Sequence, residues 1–509
     1  MITRPAISNR IVPAIVAVLV AVGIAAAAPS GFQKVSLVIT GGTVVTVDPA
    51  RRVLAPGAVA IDRGEIVAVD KPEAVGARYL AAETIDATGD LVLPGLINTH
   101  THAPMVMYRG LADDLAQMDW LQHYIFPAEA KTVSPLFVTV GTRLAALEMI
   151  ESGTTTFADM YYFEEEVARA TRAAGLRGVL GETVIGFPAP DAKTPAEALA
   201  RTEAFIKQFA GDELITPAVA PHSMYTVDGP TLVACRHLAS RYGVPVLIHV
   251  AETEDEVRIA REKYQLSPVA YLESIGFWGP RTVAAHMVWV SDEDLPTLQR
   301  RKVGISHNPE SNMKLASGAA PVVKYLKAGL SVGLGTDGAA SNNDLDMFGA
   351  MRQAAFLHKL VTRDPQAVPA TAALEMATID GARVLGLDSR IGSLEPGKRA
   401  DLIIVSMRGA RQTPLYNPVS HLVYVSRGAD VRTTIVNGRV LMRDGKVLTL
   451  DAASVLAEAR KMAESVRAAV KEGKREGGRE GGEEGRRGRW PVCGRSRRPV
   501  QSARCRRAP

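Results

Sequence analysis

The stretch PGLINTHTHAPM, residues 94–105, sets two histidines one residue apart directly after an apolar run. Side chains on a strand alternate between faces, so His100 and His102 point the same way. Two imidazoles on one face at the end of a strand can chelate one ion. A lone His-x-His pair proves little, because such pairs arise by chance. The test is whether other metal-capable residues occupy comparable places in a chain with only 10 histidines.

They do. From about residue 91 to 390, apolar strands alternate with amphipathic helices. TTTFADM, GVLGETVIG, ITPAVAPH, VPVLIHVAE, TVAAHMV, VGISHN and SVGLGTD are separated by helical stretches such as 196–209 and 230–242. Repeated strand-then-helix units imply a parallel sheet. About eight units in ~300 residues favour a closed (β/α)8 barrel of the TIM type over an open sheet. An open doubly wound sheet wants a Gly-rich phosphate turn after an early strand, and LGTDGAAS lacks that spacing. The sequence therefore predicts an α/β fold with a barrel over 91–395.

Reactive groups in such a barrel sit where strands end on its C-terminal face. His222, His249, His286, His307 and Asp337 all fall at expected strand ends. Singly, each is an ordinary packed or capping residue; together with His100 and His102 they predict one shared site. His123, His237 and His358 lie on expected helices and His421 in a late strand region, so they take structural or surface roles. Three histidines and an aspartate suit a single divalent ion with a position open to water, and the ion lowers that water's pKa towards ~7. A second ion usually needs a bridging ligand such as a carboxylated lysine, and no strand here ends in a suitable one. Glu252 follows His249 by three residues, beside the expected ion. A carboxylic acid there can pass a proton to a ring nitrogen as water adds to the adjacent carbon. The competing role is that of a first-turn helix acid opening ETEDEVRIA, where negative charge is favoured anyway.

The flanks read differently. Residues 36–90 and 396–450 are rich in short β-patterned runs with Asn437-Gly438 and Asp444-Gly445 as hairpin turns. Together they predict one small β-sandwich domain assembled from both ends of the chain. LVYVSRG, residues 422–428, is read as one of its strands. A helix is expected over 451–472, followed by a low-complexity basic tail, 473–509, too poor in aliphatic residues to bury a core. A shifted reading frame accounts for that tail as well as a genuine extension does. The nine arginines after residue 485 account for the positive net charge, so the folded part is mildly acidic and nucleic acid is excluded as a partner. At the other end, Arg4 and Arg10 precede IVPAIVAVLVAVGIAAAA, residues 11–28. This predicts a signal peptide or membrane anchor over 1–30, hence an exported and possibly membrane-attached protein. A misassigned start would instead leave it cytoplasmic. Three cysteines make no disulfide framework, and Cys235 is read as a buried thiol.

PGLINTHTHAPM, APHSMYT, HVAETEDE, AAHMVWV, SHNPESNMKLASGAAPV and GLGTDGAASNNDLDMF together resemble the amidohydrolase superfamily. The resemblance spans about 36–450 and is similar in detail to the 5-methylthioadenosine/S-adenosylhomocysteine deaminases, in the group that includes cytosine deaminase-like and atrazine chlorohydrolase-like enzymes. It implies a distorted barrel and hydrolytic deamination of an adenine-type nucleoside; guanine-, pterin- or triazine-type deamination and dechlorination are the alternatives. It implies His100, His102, His249 and Asp337 as ligands of one divalent metal, zinc before iron or manganese. His286 would orient the attacking water, Asp337 would take its proton and Glu252 would act on the ring. Glu129, in IFPAEAK, would meet the ribose hydroxyls, with His222 and Trp120 also at the substrate, although Trp120 reads equally as a core residue. The family's habit also implies a homo-oligomer. One departure stands out: Glu182 occupies the neighbourhood where the family usually carries an arginine, and Lys193 is the only cation close by. A carboxylate there should disfavour the amino-acid end of S-adenosylhomocysteine.

Overall fold

The computed structural model describes residues 31–480, with side chains through residue 470. The expected export segment, 1–30, and residues 481–509 of the expected tail lie outside the described residues.

Eight parallel strands, numbered here β1–β8, form the barrel: Leu96–Thr101, Thr154–Tyr161, Arg177–Val184, Ile215–Pro221, Val246–Val250, Thr282–His286, Gly304–His307 and Val332–Leu334. Each pairs with the next in sequence. Small and branched side chains, among them Val179, Ala218, Ala220, Leu247 and Val283, fill the interior. Side chains close the seam between β8 and β1 in place of a regular ladder. Thr99 Oγ1 donates to Leu334 O at 2.9 Å, and the Thr336 N–H to Asn98 Oδ1 at 3.1 Å. The Asp337 N–H donates to His100 O at 3.0 Å. That distortion sets Asp337 beside His100, although 237 positions separate them. Gly335 makes the approach possible, since a Cβ there would lie 2.4 Å from Asn308 Oδ1 and 3.0 Å from His100 Cβ.

The helices obey local signals. Helix α1 (Pro135–Ser152) has Pro at its first turn, Ser134 accepting from the Phe137 N–H as N-cap, and Gly153 at φ +85° ending it. Helix α2 (Glu254–Tyr264) is capped by Thr253, whose hydroxyl accepts from the Glu256 N–H. Helix α3 (Met347–Thr362) carries His358. Helix α4 (Ala452–Glu480) packs on α1 and on the segment Phe126–Thr132 through Val455, Ala459 and Val466, and runs eight residues past its expected end.

Both ends of the chain build the second domain. One sheet holds Gln33–Thr40, Ala58–Asp62, Glu65–Asp70 and Tyr79–Asp86; a seven-stranded sheet joins Thr43–Val45, Val53–Leu54 and Asp90–Pro94 to Leu402–Ser406, Val431–Val436 and the strands after it. Ile39, Ile61, Val92, Leu402 and Ile435 share one core between the two sheets. Two expectations need correction. Residues 91–94, assigned to the barrel, belong to this domain, because Asp90–Pro94 pairs antiparallel with Leu402–Ser406. LVYVSRG is no strand: Pro418–Tyr424 is a helix, started by Pro418 and by Asn417, whose side chain accepts from the Ser420 N–H. Those cap signals outweigh the β-branched composition that suggested a strand.

A buried ion pair joins the domains. Arg177 opens β3 at the base of the barrel, and its guanidinium donates to Asp401 from Nε at 2.8 Å and from Nη2 at 3.2 Å. Each side chain is only 2% exposed. Asp401 also accepts from the Asn437 N–H at 2.7 Å, and Arg177 Nη1 donates to Glu213 O at 2.9 Å.

Candidate metal centre and active-site cleft

At the C-terminal end of the barrel, His100, His102 and Asp337 offer donor atoms within 4.8 Å of one another, and so do His100, His249 and His286. His100 belongs to both groups. Asp337 Oδ1 lies 3.3 Å from Nε2 of His100 and of His102, and Nε2 of His249 lies 3.3 Å from that of His102. The far sides of the His102 and His249 rings are anchored. His102 Nδ1–H donates to Met160 O at 2.7 Å and His249 Nδ1–H to His222 O at 2.8 Å. These bonds fix the tautomers and leave bare Nε2 atoms facing the cluster, as metal-binding imidazoles require. Asp337 is held by Ser311 and Ser341, whose hydroxyls donate to Oδ2 at 2.6 and 2.9 Å.

The donor set passes a simple test of fit to a divalent ion. His100 Nε2 is buried and has no hydrogen-bond partner. Burial pushes His100 down to about 4 and holds His249 well below the usual histidine value, so both rings are neutral and able to ligate. Burial opposes protonation of His102 as well, but the hydrogen bond and charge of Asp337 lift it to about 9. The Asp337 carboxylate that favours positive charge on His102 would favour a cation at the same place. Three imidazoles and a carboxylate match zinc and its neighbours.

Four residues at the site hold strained main chain. Ala251, His286, Met287 and Asp337 all have φ between +49° and +72°, a region that L residues with side chains rarely adopt. Such residues cluster at functional sites because surrounding structure must hold them there.

The cluster floors a cleft of about 610 Å³. Glu252 lines it, 5% exposed, with Oε2 3.8 Å from His286 Nε2. Burial raises the Glu252 carboxyl above its ordinary value. His286 Nδ1–H donates to Asn312 Oδ1 at 2.9 Å, which turns Nε2 towards the cleft. Glu129 is also buried and lines the cleft, accepts from the Tyr161 hydroxyl at 2.8 Å, and is pushed up to about 7 by burial. His222 lines the cleft, and burial lowers it to about 3. Trp120 lines the cleft and is 7% exposed.

Two sequence-based expectations fail. His307 ends β7 but stays out of the site. Strand alternation turns Ser306 inward, to Thr99 Oγ1 at 2.6 Å, and His307 outward, where its Nε2 meets His358 Nε2 at 3.0 Å. Glu182 is also absent from the cleft wall; its neighbour Thr183 lines it instead. Glu182 accepts from Arg201 Nε and from the Glu164 N–H, each at 2.9 Å, outside the barrel. Its charge therefore cannot select against a substrate's carboxylate, and Lys193 does not line the cleft either.

Other residues escaped the motif reading. Gln117 lines the cleft together with Glu252 and Tyr225, and its Oε1 is buried without a partner. Trp120 Nε1, one helical turn on, is likewise buried and unpartnered. Met105, Trp120, Leu121, Ile125, Phe126 and Leu315 make the rest of that wall apolar, and among the described residues no lysine or arginine lines it.

Residues 91–441 match the amidohydrolase family, and the chain belongs to that family. It is 50% identical over 437 residues to the 5-methylthioadenosine/S-adenosylhomocysteine deaminase of Syntrophobacter fumaroxidans, covering 86% of this chain and 100% of that one. It is 45% identical to the 5′-deoxyadenosine deaminase of Methanosarcina acetivorans, covering 85% of this chain and 98% of the relative. Among solved structures, a zinc-bound adenosine deaminase from Xanthomonas campestris superposes with a TM-score of 0.85 at 38% identity, covering 86% of this chain and 100% of that one.

Proposed function

We propose that the chain is a hydrolytic deaminase of adenine-type nucleosides whose 5′ substituent is uncharged and apolar. The observation that carries this reading is the buried Glu252 carboxyl, set against His286 at the rim of a His/Asp cluster in one cleft. His100, His102, His249 and Asp337 would hold one divalent ion, zinc by preference, as in the Xanthomonas relative, with iron or manganese compatible with the same donors. Such an ion supplies Lewis acidity and makes a water nucleophilic at neutral pH. Glu252, whose carboxyl burial raises above its ordinary value, donates to the ring nitrogen beside the amino-bearing carbon. His286, fixed by Asn312, orients the attacking water. Asp337 takes one proton from the attacking water and passes it to the departing ammonia, and the second water proton returns to Glu252 as the ring carbonyl forms. Glu129 accepts the ribose hydroxyls, with His222 and Trp120 flanking the nucleoside.

Metal removal tests the centre itself. Dialysis against a strong chelator should strip one equivalent of metal and abolish ammonia release, and Zn²⁺ should restore both. Full turnover by metal-free protein would sink the reading.

The cleft wall sets the substrate preference. A carboxylate buried there without a cationic partner loses a charge-assisted hydrogen bond, worth about 1.5–3 kcal/mol. Ammonia release should therefore give kcat/KM for 5′-methylthioadenosine and 5′-deoxyadenosine at least about tenfold above that for S-adenosylhomocysteine. Equal or reversed values would refute the preference, and silence towards every aminopurine would refute the deaminase reading.

A further inference from the structure

Glu252 is presented by a turn whose geometry depends on a residue outside the cleft wall. Helix α2 opens with Thr253-x-x-Glu256, the pattern of a capping box, in which the glutamate normally reaches back to the N–H of the capping residue. Here it reaches one residue further. Glu256 Oε2 accepts from the Glu252 main-chain N–H at 3.0 Å. The residue between β5 and this bond, Ala251, has φ +51°, so the chain reverses immediately before Glu252. The Ala251 carbonyl in turn accepts from the N–H groups of Val288 and Trp289 at 2.9 and 2.8 Å, in the loop that follows His286.

Glu256 is 1% exposed, so water cannot replace it as the acceptor. Its other oxygen, Oε1, is buried with no partner. That arrangement costs folding free energy that an ordinary exposed cap would not.

We propose that Glu256 is a positioning residue, which fixes the direction of the Glu252 carboxyl by holding the Glu252 main-chain N–H. The proposal rests on the deaminase reading for its kinetic readout, but its structural readout does not. Losing the bond frees a strained turn next to the reacting groups. Misplacement by about 1 Å is enough to slow an oriented reaction about 100-fold.

The test compares Glu256→Leu, Glu256→Gln and Thr253→Ala in the metal-loaded full chain. Glu256→Leu should lower kcat about 10- to 100-fold with KM and metal content near wild type. Hydrogen exchange at the Glu252 amide should accelerate in the same variant. Glu256→Gln keeps an oxygen that accepts the N–H, and should restore slow exchange and most of kcat. Thr253→Ala removes the ordinary cap of the same helix and should lower the melting temperature without slowing turnover. The proposal is overturned if Glu256→Leu retains wild-type kcat and exchange, if Glu256→Gln is as slow as Glu256→Leu, or if Thr253→Ala is equally impaired. Should wild-type protein release no ammonia from any aminopurine, the functional reading fails, while the exchange comparison still decides the positioning role.

Discussion

Replacing Glu252 by glutamine is expected to lower kcat by about 10²- to 10⁴-fold while metal content and folding stay at wild-type levels. Glutamine keeps the shape and part of the hydrogen bonding but holds no proton that it can give to a ring nitrogen. Glu252 lies outside both donor groups, so the substitution leaves the four proposed ligands in place. Burial raises the native carboxyl above its ordinary value, which favours the protonated form that the reaction needs. The measurement is steady-state ammonia release alongside metal analysis of the same preparation. Retained activity with metal in place would point to a leaving group that departs without ring protonation, as in dechlorination.

The largest stability effect belongs to the domain joint. Asp401→Ala is expected to destabilise the chain by about 3–5 kcal/mol, because it strands the Arg177 guanidinium without a counter-charge at a site 2% exposed. The Asn437 N–H loses its acceptor in the same step. Chemical unfolding should show the loss, with turnover by the folded fraction little changed. A double variant, Arg177→Met with Asp401→Leu, should recover much of it, since a packed apolar pair can replace a buried ion pair. Recovery should stop short of complete, as Glu213 O and the Asn437 N–H remain without their partners. A loss below about 1 kcal/mol for Asp401→Ala, the range of exposed pairs, would mean water reaches this joint.

The barrel was legible because its signal is periodic and repeated. Strand-then-helix units recur eight times, and six of the eight strands, β1 and β4 to β8, carry a His or Asp at or just past their ends, a repetition that outweighs the ambiguity of any one. The ligand candidates were legible for the same reason: His249 and Asp337 mark the ends of β5 and β8. Orientation was not legible. His307 sits at the end of a strand as His249 does, yet a one-residue difference in phase sends its ring outward to His358. Glu182 and Thr183 make the same point on β3, where the second of the pair lines the cleft. Gln117 lies outside the quoted motifs, and Asn312 and Glu256 lie within them with no sign of the contacts they make after folding. Glu256 left one trace, the Thr253-x-x-Glu256 spacing, and that pattern gives no hint that the side chain overshoots its usual target.

The sandwich made from both ends has a consequence for the order of events at the ribosome. Asp90–Pro94 lies between Leu402–Ser406 and Thr43–Val45 in the finished sheet. When it emerges, its Leu402–Ser406 neighbour is still about 300 residues from being made, roughly 15–60 s at ordinary translation speeds. The barrel's own strands pair with successive neighbours and can assemble during that wait. The early strands meanwhile keep an open hydrogen-bonding edge, which invites association with other nascent chains. Asp401 and its strand thus join the early strands to the late ones and lock the sheet to the barrel.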